Sequence, residues 1–245
     1  MRGHGYVKGA ISAVIVQYNR QDLTEKLIKS LPEGLHEIVC VQNGNGEQPL
    51  GTHNVALSDN VGWGRGTNAG AALAEGEYLL LLNNDVECHE GFLEPLVARI
   101  ARSTVGCVAG TLLNSDGTVQ HAGIDLFFDQ QGTLTAANRT VPSEPLDVVS
   151  LAAALVRAEA FWHVGGISPT FWCGYEDVDF CLKLRQGGWR VVYAPESVAT
   201  HGPHGSGPDR WAHVHDNIRE LHMRWADMLS SYDGETLGAE ATTDR

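Results

Sequence analysis

Apolar and polar positions alternate along this chain in two rhythms that meet near Asn114. Residues 11–17 form a compact β-branched run, the mark of a buried strand. From 20 to 31 the apolar positions recur at helical spacing until Pro32 stops them. A second apolar strand, 36–41, closes in the turn-rich NGNGE at 43–47. Helical character follows at 67–75, and a fully apolar strand at 78–82 ends abruptly in Asn83, Asn84 and Asp85. A helix over about 90–102 and a strand at 105–113 complete the first rhythm. Strand–helix repetition of this kind predicts βαβ units and a parallel sheet with right-handed crossovers. Its polar residues gather at the strands' carboxyl ends, where open α/β sheets bind ligands.

Beyond Asn114 the pattern mixes. Residues 119–128 and 146–156 read as longer strands, 158–164 as a short helix, and 176–186 as an amphipathic helix stopped by Gly187 and Gly188. Strands at 189–193 and, past Pro195, up to Thr200 lead into a loop by composition, HGPHGSGPD at 201–209. Trp211, Val214, Ile218, Leu221, Trp225 and Met228 mark one face of a closing helix. The polar ends, 1–9 and 233–245, read as flexible. With neither repeat nor linker between them, residues 10–232 are expected to form one domain, split into a 10–113 half and a 114–232 half.

Composition narrows the partners. The 245 residues are 43% hydrophobic, enough for a sizeable core, and carry a formal charge of −13. That balance excludes the basic stripe of a nucleic-acid surface and a polybasic membrane patch. Such an acidic chain binds an anionic nucleotide only through a local device, a metal ion or a helix N-terminus. The five cysteines are scattered without a CxxC pair, which fits reduced thiols in a cytosolic protein. No apolar run reaches the ~18 residues of a membrane span, so a cytoplasmic location is expected.

Three clusters carry candidate chemistry. Asp85, at the end of an apolar strand, suits an Mg²⁺ or Mn²⁺ ligand and equally suits a helix N-cap. Glu176, Asp177 and Asp179 open a helix, where the macrodipole favours acids, and crowding of carboxylates also suits a general base. His201, at a strand end before a glycine-rich loop, reads as a metal ligand or as a lone surface histidine; an HxxH zinc site with His204 lacks its other ligands. The glycines from Gly62 to Gly66 do not follow the first strand, so they fail as a dinucleotide fingerprint. As the opening of a helix they still offer a diphosphate cradle, with Arg65 beside it.

Five stretches in register, AVIVQYNR (13–20), VQNGNG (41–46), NVGWGRGTNAG (60–70), YLLLLNND (78–85) and the run from 164 to 206, resemble the family-2 glycosyltransferases of GT-A fold, especially their rhamnosyltransferase-like and galactofuranosyltransferase-like branch. The resemblance implies an α/β domain with a mostly parallel central sheet flanked by helices. It implies an inverting transfer from a nucleotide-diphosphate sugar, with UDP or dTDP favoured, to a hydroxyl on a saccharide or lipid-linked acceptor. By the same resemblance Tyr18, Arg20, Asn43, Asn60, Gly62, Arg65, Asn68 and Asn84 lie along the donor. Asp85 and His201 hold Mn²⁺ or Mg²⁺, Asp177 is the general base, and Trp172, Tyr175 and Glu176 line the acceptor side. Two positions depart from the family pattern. Gln42 stands where an aspartate usually meets the base or ribose, and Asn83 makes the first residue of the metal motif neutral. These departures motivate a second reading, a non-catalytic sugar-nucleotide or glycan-binding module on the same fold. A nucleotidyltransferase would need a glycine-rich basic signature after the first strand, which QYNRQD is not.

Overall fold

The computed structural model describes residues 5–44, 46–141, 148–202 and 212–230. Strand β1 (Val7–Gln17) is the hub, pairing in parallel with β2 (Glu37–Asn43) on one side and β4 (Gly76–Asn83) on the other. Helix α1 (Gln21–Ser30) makes the first crossover, and α2 (Trp63–Ala71) leads from the edge strand β3 (His53–Leu57) back to β4. After β5 (Val86–Cys88) and α3 (Leu93–Ile100) comes β6 (Val105–Leu113). The chain continues through β7 (Val119–His121), β8 (Ile124–Phe128), β9 (Leu134–Asn138), β10 (Ala153–Arg157), α4 (Ala158–His163), α5 (Glu176–Gln186), β11 (Arg190–His201) and α6 (Val214–Ser230).

The described strands give a central sheet in the order β3-β2-β1-β4-β10-β6-β11-β5, with β7 continuing beside the end of β6. The parallel order expected from the first rhythm holds for β3-β2-β1-β4; β10 then enters antiparallel between β4 and β6, which makes the sheet mixed. Successive side chains of β1 and β4 feed two cores. Val14, Leu79 and Leu81 pack with Phe161, Phe180 and Trp225 on one face, while Ile15, Leu80 and Leu82 pack with Leu27, Leu96 and Ile100 on the other. Each such buried side chain contributes about 1.5–3 kcal/mol. Burial on both faces is why these strands read as continuous apolar runs.

Several boundaries differ from the sequence pattern. β1 begins at Val7, inside the segment expected to be frayed, because Val7 registers with Gly76 across an irregularity. The expected strand over 119–128 is broken at Gly123, whose φ of 116° redirects the chain. β7 then stays in the main sheet, while β8 pairs with β9 in a separate hairpin. The two short strands expected around Pro195 are one strand, β11, whose register against β6 slips between Ala194 and Val198. α2 starts at Trp63 rather than Thr67, and its glycines serve packing. A Cβ at Gly66 would lie 2.9 Å from Val16, and one at Gly70 would lie 2.7 Å from Val14. Residues 203–211 and 233–245, including His204 and Trp211, lie outside the described residues.

Candidate active site at the carboxyl rim of the sheet

The rim is assembled from strand ends. β5 runs antiparallel to β11 and registers Val86 opposite His201, so Asp85, one residue earlier, is carried to the histidine. Asp85 Oδ1 lies 3.2 Å from His201 Nε2. The Gly202 N–H donates to the Asp85 carbonyl at 2.8 Å and fastens the corner. Their side chains are 3% and 17% exposed, so the pair is largely shielded but reachable through the histidine. The N-cap reading of Asp85 does not survive: β5 intervenes, and α3 starts only at Leu93, with Phe92 at its cap position.

Two donors of this kind fit a hard divalent ion that keeps water and substrate phosphate for its other positions. With Nε2 unprotonated, the imidazole would offer such an ion a lone pair beside those of the carboxylate. Among the described residues no group of three or more His, Cys, Asp and Glu side chains converges as a self-sufficient metal cage.

The residues assigned to the donor divide into two kinds. Arg20 and Arg65 are exposed, and Tyr18 is half-buried, at strand and helix openings on the rim. Asn19 and Arg20 adopt left-handed φ values of 53° and 54°, and Arg20 makes a two-pronged bond to Asp22 at 2.9 Å. The asparagines, by contrast, face the protein. Asn43 donates to Asn60 Oδ1 at 3.0 Å and accepts the Val61 N–H at 3.0 Å; Asn60 Oδ1 also accepts the Gly62 N–H at 3.0 Å. Asn68 brackets Ile167, donating to its carbonyl at 2.8 Å and accepting its N–H at 2.9 Å. Asn84 points inward to the Asn19 carbonyl, 3.3 Å away, and the Thr24 hydroxyl. These amides shape the loops of the rim. Gly62 belongs with them: its φ is 85°, and a Cβ there would come within 2.8 Å of the Trp172 carbonyl. Of the two departures, Gln42 is buried on β2, and Asn83 joins the Asp85–His201 corner through its amide nitrogen, 3.2 Å from His201 Nε2.

The acidic cluster is sorted by depth. Tyr175 caps α5 with a left-handed φ of 70°. Asp179 is fully buried, accepting Trp225 Nε1–H at 3.1 Å and Arg224 at 3.3 Å, with Lys183 at 3.7 Å. It anchors α6 to α5 and has no access to a substrate. Burial, opposed by Asp179, shifts the Lys183 ammonium below its ordinary value. Glu176 is also enclosed. Asp177 remains half-exposed, accepts the Val178 N–H at 2.9 Å, and lines a cleft of about 190 Å³ with Ile124, Asn138, Tyr175 and Val214. Asn217 of α6 donates to the Cys173 and Gly174 carbonyls at 3.1 and 3.0 Å, holding the loop that presents Asp177. The Trp172 ring sits 5.7 Å from that of His213. α6, uninterpretable from its motif content, is thus the clamp of the loop that presents Asp177.

Sequence reasoning missed two neighbours of the Asp85–His201 corner. Gln120 Oε1 lies 2.7 Å from His201 Nδ1. His121 is buried, accepts the Gly123 N–H at 3.2 Å, and is pushed down to about 4 by burial and by His201. Both fall in a stretch whose only signal was its strand pattern.

A mixed sheet flanked by helices, with acid, histidine and amide loops on its carboxyl rim, has the GT-A fold of the solved glycosyltransferases it resembles. The Glycosyl transferase family 2 model matches residues 12–165, and the chain belongs to that family. It is 27% identical over 175 residues to the N-acetylglucosaminyl-diphospho-decaprenol L-rhamnosyltransferase of Mycobacterium tuberculosis, covering 64% of this chain and 57% of that one. It spans 19% and 12% of the lengths of two other relatives. The fold is similar to that of GalNAc-T7 with UDP, GalNAc and Mn²⁺ (TM-score 0.62, 19% identity, 82% of this chain and 46% of that one). It is also similar to that of the Pyrobaculum calidifontis mannosyltransferase PcManGT with GDP-Man and Mn²⁺ (TM-score 0.58, 15% identity, 92% and 65%). Among the described residues no helix is long and apolar enough to cross a membrane.

Proposed function

We propose that this glycosyltransferase moves a sugar from a nucleotide-diphosphate donor, UDP- or dTDP-linked, to an acceptor hydroxyl with inversion at the anomeric carbon. The observation that carries this reading is the Asp85–His201 pair, 3.2 Å apart on the rim where α/β sheets bind nucleotides. The donor lies along the loops shaped by Asn43, Asn60 and Asn68, with Tyr18, Arg20 and Arg65 able to reach it from the open side. Asp177, in the cleft with Tyr175 and Asn138, takes the proton from the acceptor hydroxyl. The acceptor oxygen bonds to C1 as the bond from C1 to the diphosphate breaks, and that electron pair leaves with the diphosphate. A divalent ion, Mn²⁺ or Mg²⁺, would neutralise charge on the leaving group when held by Asp85 and His201. Trp172 and the 173–175 loop border the acceptor side, and residues 10–113 and 114–232 serve donor and acceptor respectively. Mn²⁺ beside a nucleotide or nucleotide sugar in GalNAc-T7 and PcManGT supports the metal and the donor class. Five free thiols suit a cytoplasmic setting.

Calorimetric titration of UDP, dTDP and GDP with Mn²⁺, repeated on Asp85→Ala, tests the site. One diphosphate is expected to bind only with metal and only with Asp85 intact. If no diphosphate binds under any condition, the donor site is misassigned and a glycan-binding module becomes the better account.

A further inference from the structure

The imidazole of His201 is held by a chain of hydrogen bonds whose direction is fixed at its far end. The turn between β6 and β7 is built from Asn114 to Thr118, closed by Asn114 N–H to the Thr118 carbonyl at 2.8 Å. Asp116 Oδ1 lies 2.6 Å from Thr118 Oγ1 and 3.0 Å from the Thr118 N–H. These bonds hold the Asp116 carboxyl below its ordinary value, so it is ionised and can only accept. The Thr118 hydroxyl proton is therefore committed to Asp116, and its oxygen accepts from Asn114 Nδ2 at 2.9 Å. That orients the Asn114 amide and leaves its Oδ1 to accept from Gln120 Nε2 at 3.0 Å. Gln120 Nε2 also donates to the His201 carbonyl at 3.2 Å. With both protons of that nitrogen assigned, Gln120 must present Oε1 to His201 Nδ1, 2.7 Å away.

From this geometry we infer that Gln120 is a positioning residue of the metal corner: it fixes His201 as the tautomer protonated on Nδ1 and aims the bare Nε2 at Asp85. The inference rests on the reading of Asp85 and His201 as metal ligands. A partner on the distal nitrogen sets both the tautomer and the ring orientation of a metal-binding histidine. Asn83 Nδ2, 3.2 Å from Nε2, is a donor suited to that bare nitrogen. The side chains of Asn114, Asp116 and Thr118 contact neither Asp85 nor the Asp177 cleft in these bonds. Their ordered turn instead gives Gln120 one available orientation.

The test uses Gln120→Leu, close in volume and unable to accept from Nδ1, with UDP and Mn²⁺ as probes. Loss of an outer-shell partner typically weakens metal affinity ~10–100-fold. Mn²⁺-dependent UDP binding is expected to weaken by about that factor, while the thermal unfolding midpoint stays near wild type. In ¹⁵N-labelled protein without metal at pH 8, the His201 ring should show a protonated Nδ1 in the wild type and a mixed or reversed tautomer in Gln120→Leu. Wild-type affinity for Mn²⁺–UDP in Gln120→Leu, alongside loss of binding in Asp85→Ala, would overturn the positioning role alone. Should Asp85→Ala bind Mn²⁺–UDP like wild type, the metal corner itself fails. If Gln120→Leu is too unstable to titrate, the wild-type spectrum still decides, because a bare Nδ1 contradicts the inference.

Discussion

The two sides of the rim use polar side chains in opposite ways. Along the β1–β4 side, Asn43, Asn60, Asn68 and Asn84 are turned onto neighbouring groups, mostly backbone, and build loops. On the α5–α6 side, two acids two residues apart are separated by depth: Asp177 opens to a cleft, whereas Asp179 is enclosed with Trp225, Arg224 and Lys183. Neutral amides suit the first task because each both donates and accepts without a charge to desolvate. Charged groups on the second side divide into one that can meet substrate and one whose enclosure requires partners. Polar identity in a motif therefore marks a position near the site, and only geometry separates contact with substrate from construction.

The sharpest way to break this comparison is to exchange the fates of the two acids. Asp177→Asn should lower turnover by about 10²–10⁴-fold, the range of a lost general base. Its unfolding free energy should stay within about 0.5 kcal/mol of wild type. Asp179→Ala should do the reverse, costing about 3–5 kcal/mol in urea unfolding because Lys183 and Arg224 lose a buried counter-charge. Turnover per folded molecule should fall less than for Asp177→Asn. Equal catalytic losses from the two variants would erase the distinction drawn from depth.

A smaller effect sharpens the other half. Asn68→Ala leaves the Ile167 N–H and carbonyl without their partners and should cost about 1–3 kcal/mol in unfolding free energy. Calorimetry on the folded variant should find UDP affinity changed by less than threefold. A stable Asn68→Ala protein that no longer binds UDP would return Asn68 to the donor's contact surface.

The legibility of this chain follows the same division. Strands buried on both faces, such as 78–82, announce themselves as apolar runs, and the acid at such a run's end was visible as a ligand candidate. β3 and β5 were not visible, because an exposed edge strand and a three-residue strand carry little pattern. β5 nevertheless brings Asp85 to His201, so the pairing itself could not be read from either residue's neighbours. The glycines of α2 were legible as close approach but not as to what approaches: Val16 stands beside Gly66 and Val14 beside Gly70. Gln120 and His121 stayed hidden because a strand pattern says which face a residue takes and nothing of its hydrogen-bond partner.

The least of the expected effects concerns a base enclosed away from the Asp177 cleft. His121, buried at 4% exposure, is pushed from 6.5 to about 4 chiefly by desolvation, so it is neutral in the fold. Since the unfolded imidazole takes up its proton near 6.5, the unfolded chain binds more protons than the native one between about 4 and 6.5. Stability from this group is therefore complete above 6.5 and declines as the pH falls through that window, by about 1 kcal/mol near pH 6. Other histidines titrate in the same range, so the informative quantity is the difference between wild type and His121→Leu, measured in urea without divalent metal. That difference should shift by about 1 kcal/mol between pH 8 and pH 6 in favour of the variant, whatever its offset at pH 8. Parallel pH profiles would mean that His121 is as readily protonated in the fold as in water. The contrast between an acid enclosed with charged partners and a base enclosed as a neutral group would then not hold.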